Sequence, residues 1–198
     1  NVTDMRFMFS GCSSLTSLDV SGFETSNVKD MRALFQGCQA LTSLDVSGFD
    51  TSNVKDMGAM FAVCTSLTSL DVSGFDTSNV TNMFSMFCWC KYLTSLDVRN
   101  FNTSNVTDMR LMFSDCQSLT TIYCNDKWSC GNSSGMFSYC KKLKGAISYD
   151  SSKEDATYAN PATGYFTRKS YSYELWIAGT QVTDDNKDNI PVRGGTVT

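Results

Sequence analysis

The sequence predicts a solenoid, α/β or mainly β, in which short coils built from one repeated unit stack along an axis. Three observations predict it. Val2, Val28, Val54, Val80 and Val106 stand 26 residues apart, and so do Cys12, Cys38, Cys64, Cys90 and Cys116. Each copy reads V-x-x-M-x-x-(M/L)-F-x-x-C-x-x-L-x-x-L-x-V and is usually followed by a loop of the type S-G-F-D-T-S-N. A unit this small cannot bury its own apolar face, so it has to stack on its neighbours.

Within a copy, Leu15-x-x-Leu18-x-Val20 puts Leu18 and Val20 on one face of an extended segment, with Thr16, Ser17 and Asp19 facing away. The spacing predicts one strand per coil. Its repetition at Leu41/Leu44/Val46, Leu67/Leu70/Val72, Leu93/Leu96/Val98 and Leu119/Ile122/Cys124 builds a parallel sheet, with strands about 4.8 Å apart. The loop from Ser21 to Asn27 carries turn residues around Phe23, which is expected to plug inward while hydroxyls and the Asn amide satisfy backbone groups along the stack. Val28, Met31, Leu34, Phe35 and Cys38 follow a spacing of three to four, which predicts a short helical or 3₁₀ turn opposite the sheet.

Five of the nine cysteines fill one equivalent position in successive copies. Parallel Cβ vectors do not present such sulfurs for bridging, so they are expected to be a buried ladder of reduced thiols. Cys124 and Cys130 differ: they bracket a place where the step from Cys116 to Cys140 shortens to 24 residues, and a Cys124–Cys130 disulfide clipping that loop is expected. Cys88 sits next to the ladder at an exposed-looking position without an obvious partner.

The chain contains no histidine, which removes the commonest general base, the Cys-His dyad, the serine triad and most zinc sites. Asp19, Asp45, Asp71 and Asp97 form one column, but equivalent aspartates lack the unlike environments that a catalytic pair needs. No enzyme activity, no cofactor and no metal is expected. A calcium ion on that column is the sharper alternative, and hydrogen bonding from the neighbouring Thr and Ser residues with solvent screening is the plainer one. A formal net charge of −4, from 16 basic and 20 acidic side chains, gives no basic footprint for nucleic acid. Apolar runs are too short to span a bilayer, so no membrane insertion is expected. Charged residues are only 18 % of a chain whose loops are rich in Ser, Thr, Asn, Gly and Asp, a balance common in extracellular modules.

Three regions are expected: stacked repeats over 1–148, a cap over 149–168 that wraps the exposed last coil, and a β-rich tail over 169–198. The tail either packs on the cap or starts a further domain. Because the chain opens on Asn1 already inside a repeat, it is expected to be a fragment of a longer protein.

The combination N-V-T-D-M-x-x-M-F-x-x-C-x-x-L-T-S-L-D-V-S-x-F-x-T-S-N resembles the 26-residue branch of the BspA-like leucine-rich repeat family of bacterial surface proteins, over about residues 1 to 150. The run from Tyr149 through Pro161 to Thr167 resembles the segment that closes such arrays. The resemblance implies a curved right-handed leucine-rich repeat solenoid, on the cell surface or secreted, that serves adhesion or recognition of a host or microbial protein or glycan.

Copies differ where a partner would act. The fourth carries Phe84, Cys88, Trp89 and Tyr92 where others have mostly small or polar residues, and Arg99-Asn100 replaces Ser-Gly at the strand exit. Phe84, Trp89, Tyr92 and Arg99 are the candidate ligand-binding residues, because exposed aromatics flanked by Arg make interface hot spots. The plainer alternative is that the aromatics fold down over neighbouring coils. A non-enzymatic recognition module leads, with a passive stalk presenting another domain and a glycan-binding accessory domain as alternatives.

Overall fold

The computed structural model describes residues 2–169 and, beyond them, the backbone of 176–177 and 180–181. The elements are β1 (Ser95–Asp97), β2 (Thr121–Tyr123), a 3₁₀ turn η1 (Ala156–Tyr158), β3 (Phe166–Thr167), β4 (Trp176–Ile177) and β5 (Thr180–Gln181). β1, β2 and β3 form a small parallel sheet in that order, and β4 pairs antiparallel with β5. The rest of the β-rich tail expected over 169–198 lies outside the described residues. Among the described residues there is almost no helix, and no helix is long and apolar enough to cross a membrane.

Successive copies lie on one another in register. Parallel bridges join Asp4 to Asp30, Asp30 to Asp56, Asp56 to Asn82 and Asn82 to Asp108. From each bridge the chain runs through tandem turns in place of the expected helical or 3₁₀ turn. The N–H groups of Met8, Ser10 and Cys12 bond back to the carbonyls of Met5, Phe7 and Phe9, while those of Met5, Phe7, Phe9 and Gly11 cross to Asp30, Arg32, Leu34 and Gln36 at 2.7–3.0 Å. A 3₁₀ helix would spend every N–H internally. Alternation sends every second one to the next copy, which satisfies a buried backbone and ties the stack together. The pattern needs left-handed residues at two places per copy. Phe7, Ala33, Ala59, Ser85 and Leu111 form one row at φ 53–58°, and Gly11, Gly37, Val63, Trp89, Asp115 and Tyr139 form the other at 60–77°.

The strand expected in every coil is also corrected. Among the described copies it forms only at β1 and β2, where Ser95, Leu96 and Asp97 pair with Thr121, Ile122 and Tyr123. The β-branched and aromatic T-I-Y sequence of β2 favours a strand, and β1, which reads S-L-D like the earlier copies, is a strand where it pairs with β2. In each of the first four copies the Asp turns to the backbone ahead: the Oδ1 atoms of Asp19, Asp45 and Asp71 accept from the N–H of Ser21, Ser47 and Ser73 at 2.9 Å each, and that of Asp97 in β1 accepts from the Arg99 N–H at 3.3 Å.

The core is a set of parallel columns. Val20, Val46, Val72 and Val98 are buried, as are Phe49, Phe75 and Phe101 of the loops. Phe9, Phe35, Phe61, Phe87, Phe113 and Phe137 stack with centroids 5.7–5.8 Å apart. Beside them runs the thiol ladder: the Sγ of Cys38, Cys64, Cys90, Cys116 and Cys140 donate to the carbonyls of Phe9, Phe35, Phe61, Phe87 and Phe113 at 2.9–3.3 Å. These thiols therefore link copies as donors as well as filling space, whereas Cys12, expected in the same buried ladder, is exposed in the first described copy, which is covered on one side only. In the loops, the hydroxyls of Thr25, Thr51 and Thr77 donate to Asp50, Asp76 and Asn102 at 2.9–3.0 Å. Cys88 is buried, against Ala33, Ala59 and Ala62, and not exposed as its sequence position suggested.

At the shortened step, Trp128 continues the loop Phe column by stacking on Phe101 at 6.2 Å. The structure holds Cys124 and Cys130 as free thiols and does not join them: Cys124 Sγ donates to Asp126 O and Cys130 Sγ to Asn132 O. Cys124 is buried in the core, where it takes the place of Val, while Cys130 stays partly exposed.

The segment after Ile147 replaces the acceptors that a further copy would supply. The N–H of Phe137 reaches Glu154 O at 3.1 Å, and that of Tyr139 reaches the Tyr149 hydroxyl at 3.1 Å. Tyr149 Oη in turn donates to Glu154 Oε1 at 2.7 Å, and Ser138 Oγ donates to Glu154 Oε2. Tyr165 and Phe166 close the core edge-on against Phe137.

Candidate recognition surface

The left-handed row ending in Tyr139 aims a series of side chains outward at fixed places. In the first two copies that position is Gly, but the fourth has Trp89 and the last has Tyr139, at 40 % and 58 % exposure. The next two columns read Lys91, Gln117, Lys141 and Tyr92, Ser118, Lys142. Large side chains on the fourth and last copies thus flank small or uncharged ones on the copy between them. The result is a shallow depression of ≈ 380 Å³ lined by Lys91, Tyr92, Gln117, Ser118, Tyr139, Lys141 and Lys142.

Of the residues expected from sequence, Tyr92 lines this depression and is 60 % exposed. Trp89 stands in the adjoining row with the Lys91 ammonium 4.7 Å from its ring centre. Phe84 is half-buried, with the Arg110 guanidinium 5.3 Å from its ring centre. Arg99 lines a different hollow of ≈ 630 Å³ with Asn100–Ser104 and Asp126–Ser129. Its head bonds Asp97 at 2.8 Å and is 13 % exposed. Tyr92 and Trp89 are therefore neighbours by column, and neither depression brings Phe84 or Trp89 together with Arg99.

Tyr139 and the two lysines beside it were missed, because the step of 24 residues takes them out of the 26-residue register. Counting from the ladder cysteine recovers them, since Trp89, Asp115 and Tyr139 each directly precede one.

A second acidic column also escaped notice: Asp4, Asp30, Asp56, Asn82 and Asp108 stack at the bridges. Asn82 Nδ2 donates to both oxygens of Asp56 at 3.0 Å, and Arg6 and Arg110 fork onto Asp4 and Asp108. Burial pushes the Asp30 carboxyl up, whereas the Arg110 hydrogen bonds hold Asp108 down. The column weighed for calcium is likewise occupied: Asp19, Asp45 and Asp71 take backbone N–H groups and Asp97 takes Arg99. No group of three or more His, Cys, Asp or Glu able to hold a metal ion lies among the described residues. Burial pushes the Cys64 and Cys140 thiols up to about 12, away from the ionised form that a nucleophile requires.

A family model described as "Mycoplasma protein of unknown function, DUF285" matches residues 1–69 and again 40–149. No curated protein matches the chain. Among solved structures, a leucine-rich cell surface protein from Faecalibacterium prausnitzii A2-165 is 22 % identical with a TM-score of 0.39. The match covers 61 % of this chain and 36 % of that one, so the chain spans little more than a third of that protein's length.

Proposed function

The chain belongs to the DUF285 family, and on that footing we propose that it is a non-enzymatic recognition module, displayed on a bacterial surface or secreted, that binds a host or microbial protein or glycan. Within the family we place it in the 26-residue BspA-like branch, as a right-handed leucine-rich repeat solenoid, on the strength of the N-V-T-D-M to T-S-N signature. One observation carries the functional reading. The interior repeats with little change, while Trp89, Tyr92 and Tyr139 stand exposed at places where other copies carry mostly small or polar residues. A stack held by backbone, hydroxyl and thiol ladders loses little entropy when such aromatics meet a partner. The absence of histidine and the un-ionised thiols support a role without covalent chemistry.

A passive stalk is the second reading, and the uniform Thr and Cys ladders favour it. Binding to a panel of extracellular-matrix proteins, mucins and glycans separates the two. A recognition module binds at least one member, and Trp89→Ala with Tyr92→Ala weakens that binding about tenfold or more, an effect expected of hot-spot aromatics, while the melting curve stays in place. A chain that binds no member is a stalk.

A further inference from the structure

We propose that the depression between Tyr92 and Tyr139 is a subsite for an anionic glycan; this rests on the recognition reading above and names its ligand class. The exposed rings of Tyr92 and Tyr139 lie at its margins. An aromatic face is negative and attracts the polarised C–H groups on one side of a pyranose ring. Between them Gln117 and Ser118 offer an amide and a hydroxyl, which suit sugar hydroxyls as donor and acceptor.

Charge selects among sugars. Lys91, Lys141 and Lys142 line the same depression, and none of them has an ion pair with a described residue. Lys141 and Lys142 are exposed, and Lys91 rests against Trp89. Three ammonium groups without an ion pair among the described residues, on a chain of net charge −4, make a local positive field that attracts a carboxylate or sulfate and gives a neutral sugar no advantage. The carboxylate of Asp115, which accepts from Ser114 Oγ at 3.1 Å without losing its charge to that hydroxyl, does not line the depression, so ammonium groups are the only charged groups in its lining. An acidic peptide would meet the same ammonium groups but makes no use of ring faces set beside an amide and a hydroxyl, and titration with polyglutamate separates it from a sugar.

The backbone that displays Tyr139 is set by the fold: Tyr139 is left-handed and its N–H is bonded to Tyr149 Oη at 3.1 Å. The same conformation recurs through the whole row, so the fold imposes it; what distinguishes this place is the side chain it displays.

Calorimetric titration of the whole chain with a heparin hexasaccharide, an oligogalacturonate and maltohexaose tests the proposal. Binding of either anionic sugar without binding of maltohexaose is the expected result. Heparin alone identifies sulfate as the selected group, and oligogalacturonate identifies carboxylate. Tyr92→Ala, and separately Lys141→Gln with Lys142→Gln, should each weaken that binding about tenfold with unchanged melting. No binding of either anionic sugar overturns the proposal, as does equal binding of maltohexaose. Wild-type affinity in Tyr92→Ala also overturns it, since attraction to diffuse charge needs no ring. Polyglutamate binding in place of the sugars transfers the surface to an acidic peptide. If a matrix protein binds through Trp89 and no sugar does, this subsite fails while the recognition reading stands; if nothing binds, both fail.

Discussion

Asn82 shows how one residue can relieve strain that a repeat creates. Stacking places each bridge residue one strand spacing, about 4.8 Å, from its copies, so a column of aspartates sets like charges side by side. Asn82 interrupts it and donates both of its contacts to Asp56. Gly58 makes room for this: a Cβ there would stand 2.8 Å from Asn82 Nδ2 and 3.0 Å from Asp56 Oδ1. Asn82→Asp replaces a donor with a second carboxylate, losing a hydrogen bond to a charged group and adding repulsion, which should cost about 1–2 kcal/mol at pH 7. Urea unfolding measures it. An unchanged midpoint at pH 7 would show that the amide does not stabilise the column.

At the level of elements, the last copy depends on a substitute for its missing neighbour. Tyr149→Phe removes the acceptor of the Tyr139 N–H and a donor to Glu154, which should cost about 1–3 kcal/mol of local stability. Amide exchange should accelerate at Tyr139 and leave Phe61, inside the stack, as it was; unchanged protection at Tyr139 would remove the hydroxyl from this role. The aliphatic columns, the thiol ladder from Cys38 onward and the inward loop phenylalanines from Phe49 onward were legible in the sequence, because stacking turns a period directly into columns. The tandem turns were not, since i to i−3 bonding gives apolar residues the same three-to-four spacing as a helix. Nor was the left-handed row, because glycine marks it at Gly11 and Gly37 and then gives way to Val63, Trp89 and Asp115. The strand expected in every coil forms only where L-T-S-L-D-V of the fourth copy meets the β-branched T-I-Y of β2. Of the surface, Tyr92 and Trp89 were visible as departures from the repeat, whereas Tyr139, Lys141 and Lys142 were hidden by the shortened step.

Across the whole molecule the thiol ladder ties stability to pH. An ordinary thiol titrates near 9.0, but burial pushes Cys38 up to about 11, Cys64 and Cys140 to about 12, and Cys90 and Cys116 well above their ordinary value. Below pH 9 the ladder is protonated in folded and unfolded chains alike, and its contribution is intact. Between pH 9 and 12 the unfolded chain releases protons that the folded chain keeps, so stability falls as pH rises. At pH 10 this amounts to about 1.4 kcal/mol for each fully buried thiol, one proton's difference over one pH unit. Lysines and tyrosines titrate in the same range, so the comparison must be between proteins. Cys90→Ala, which also removes one of the two donors to the Phe61 carbonyl and leaves only the Cys64 N–H, starts less stable at pH 8. From pH 8 to pH 10 under reducing conditions it should nevertheless lose about 1.4 kcal/mol less than the wild type, because it has one fewer proton to defend. Equal losses in the two proteins would mean that Cys90 ionises in place, which is incompatible with a sulfur that lies fully buried and donates to a carbonyl of the preceding copy.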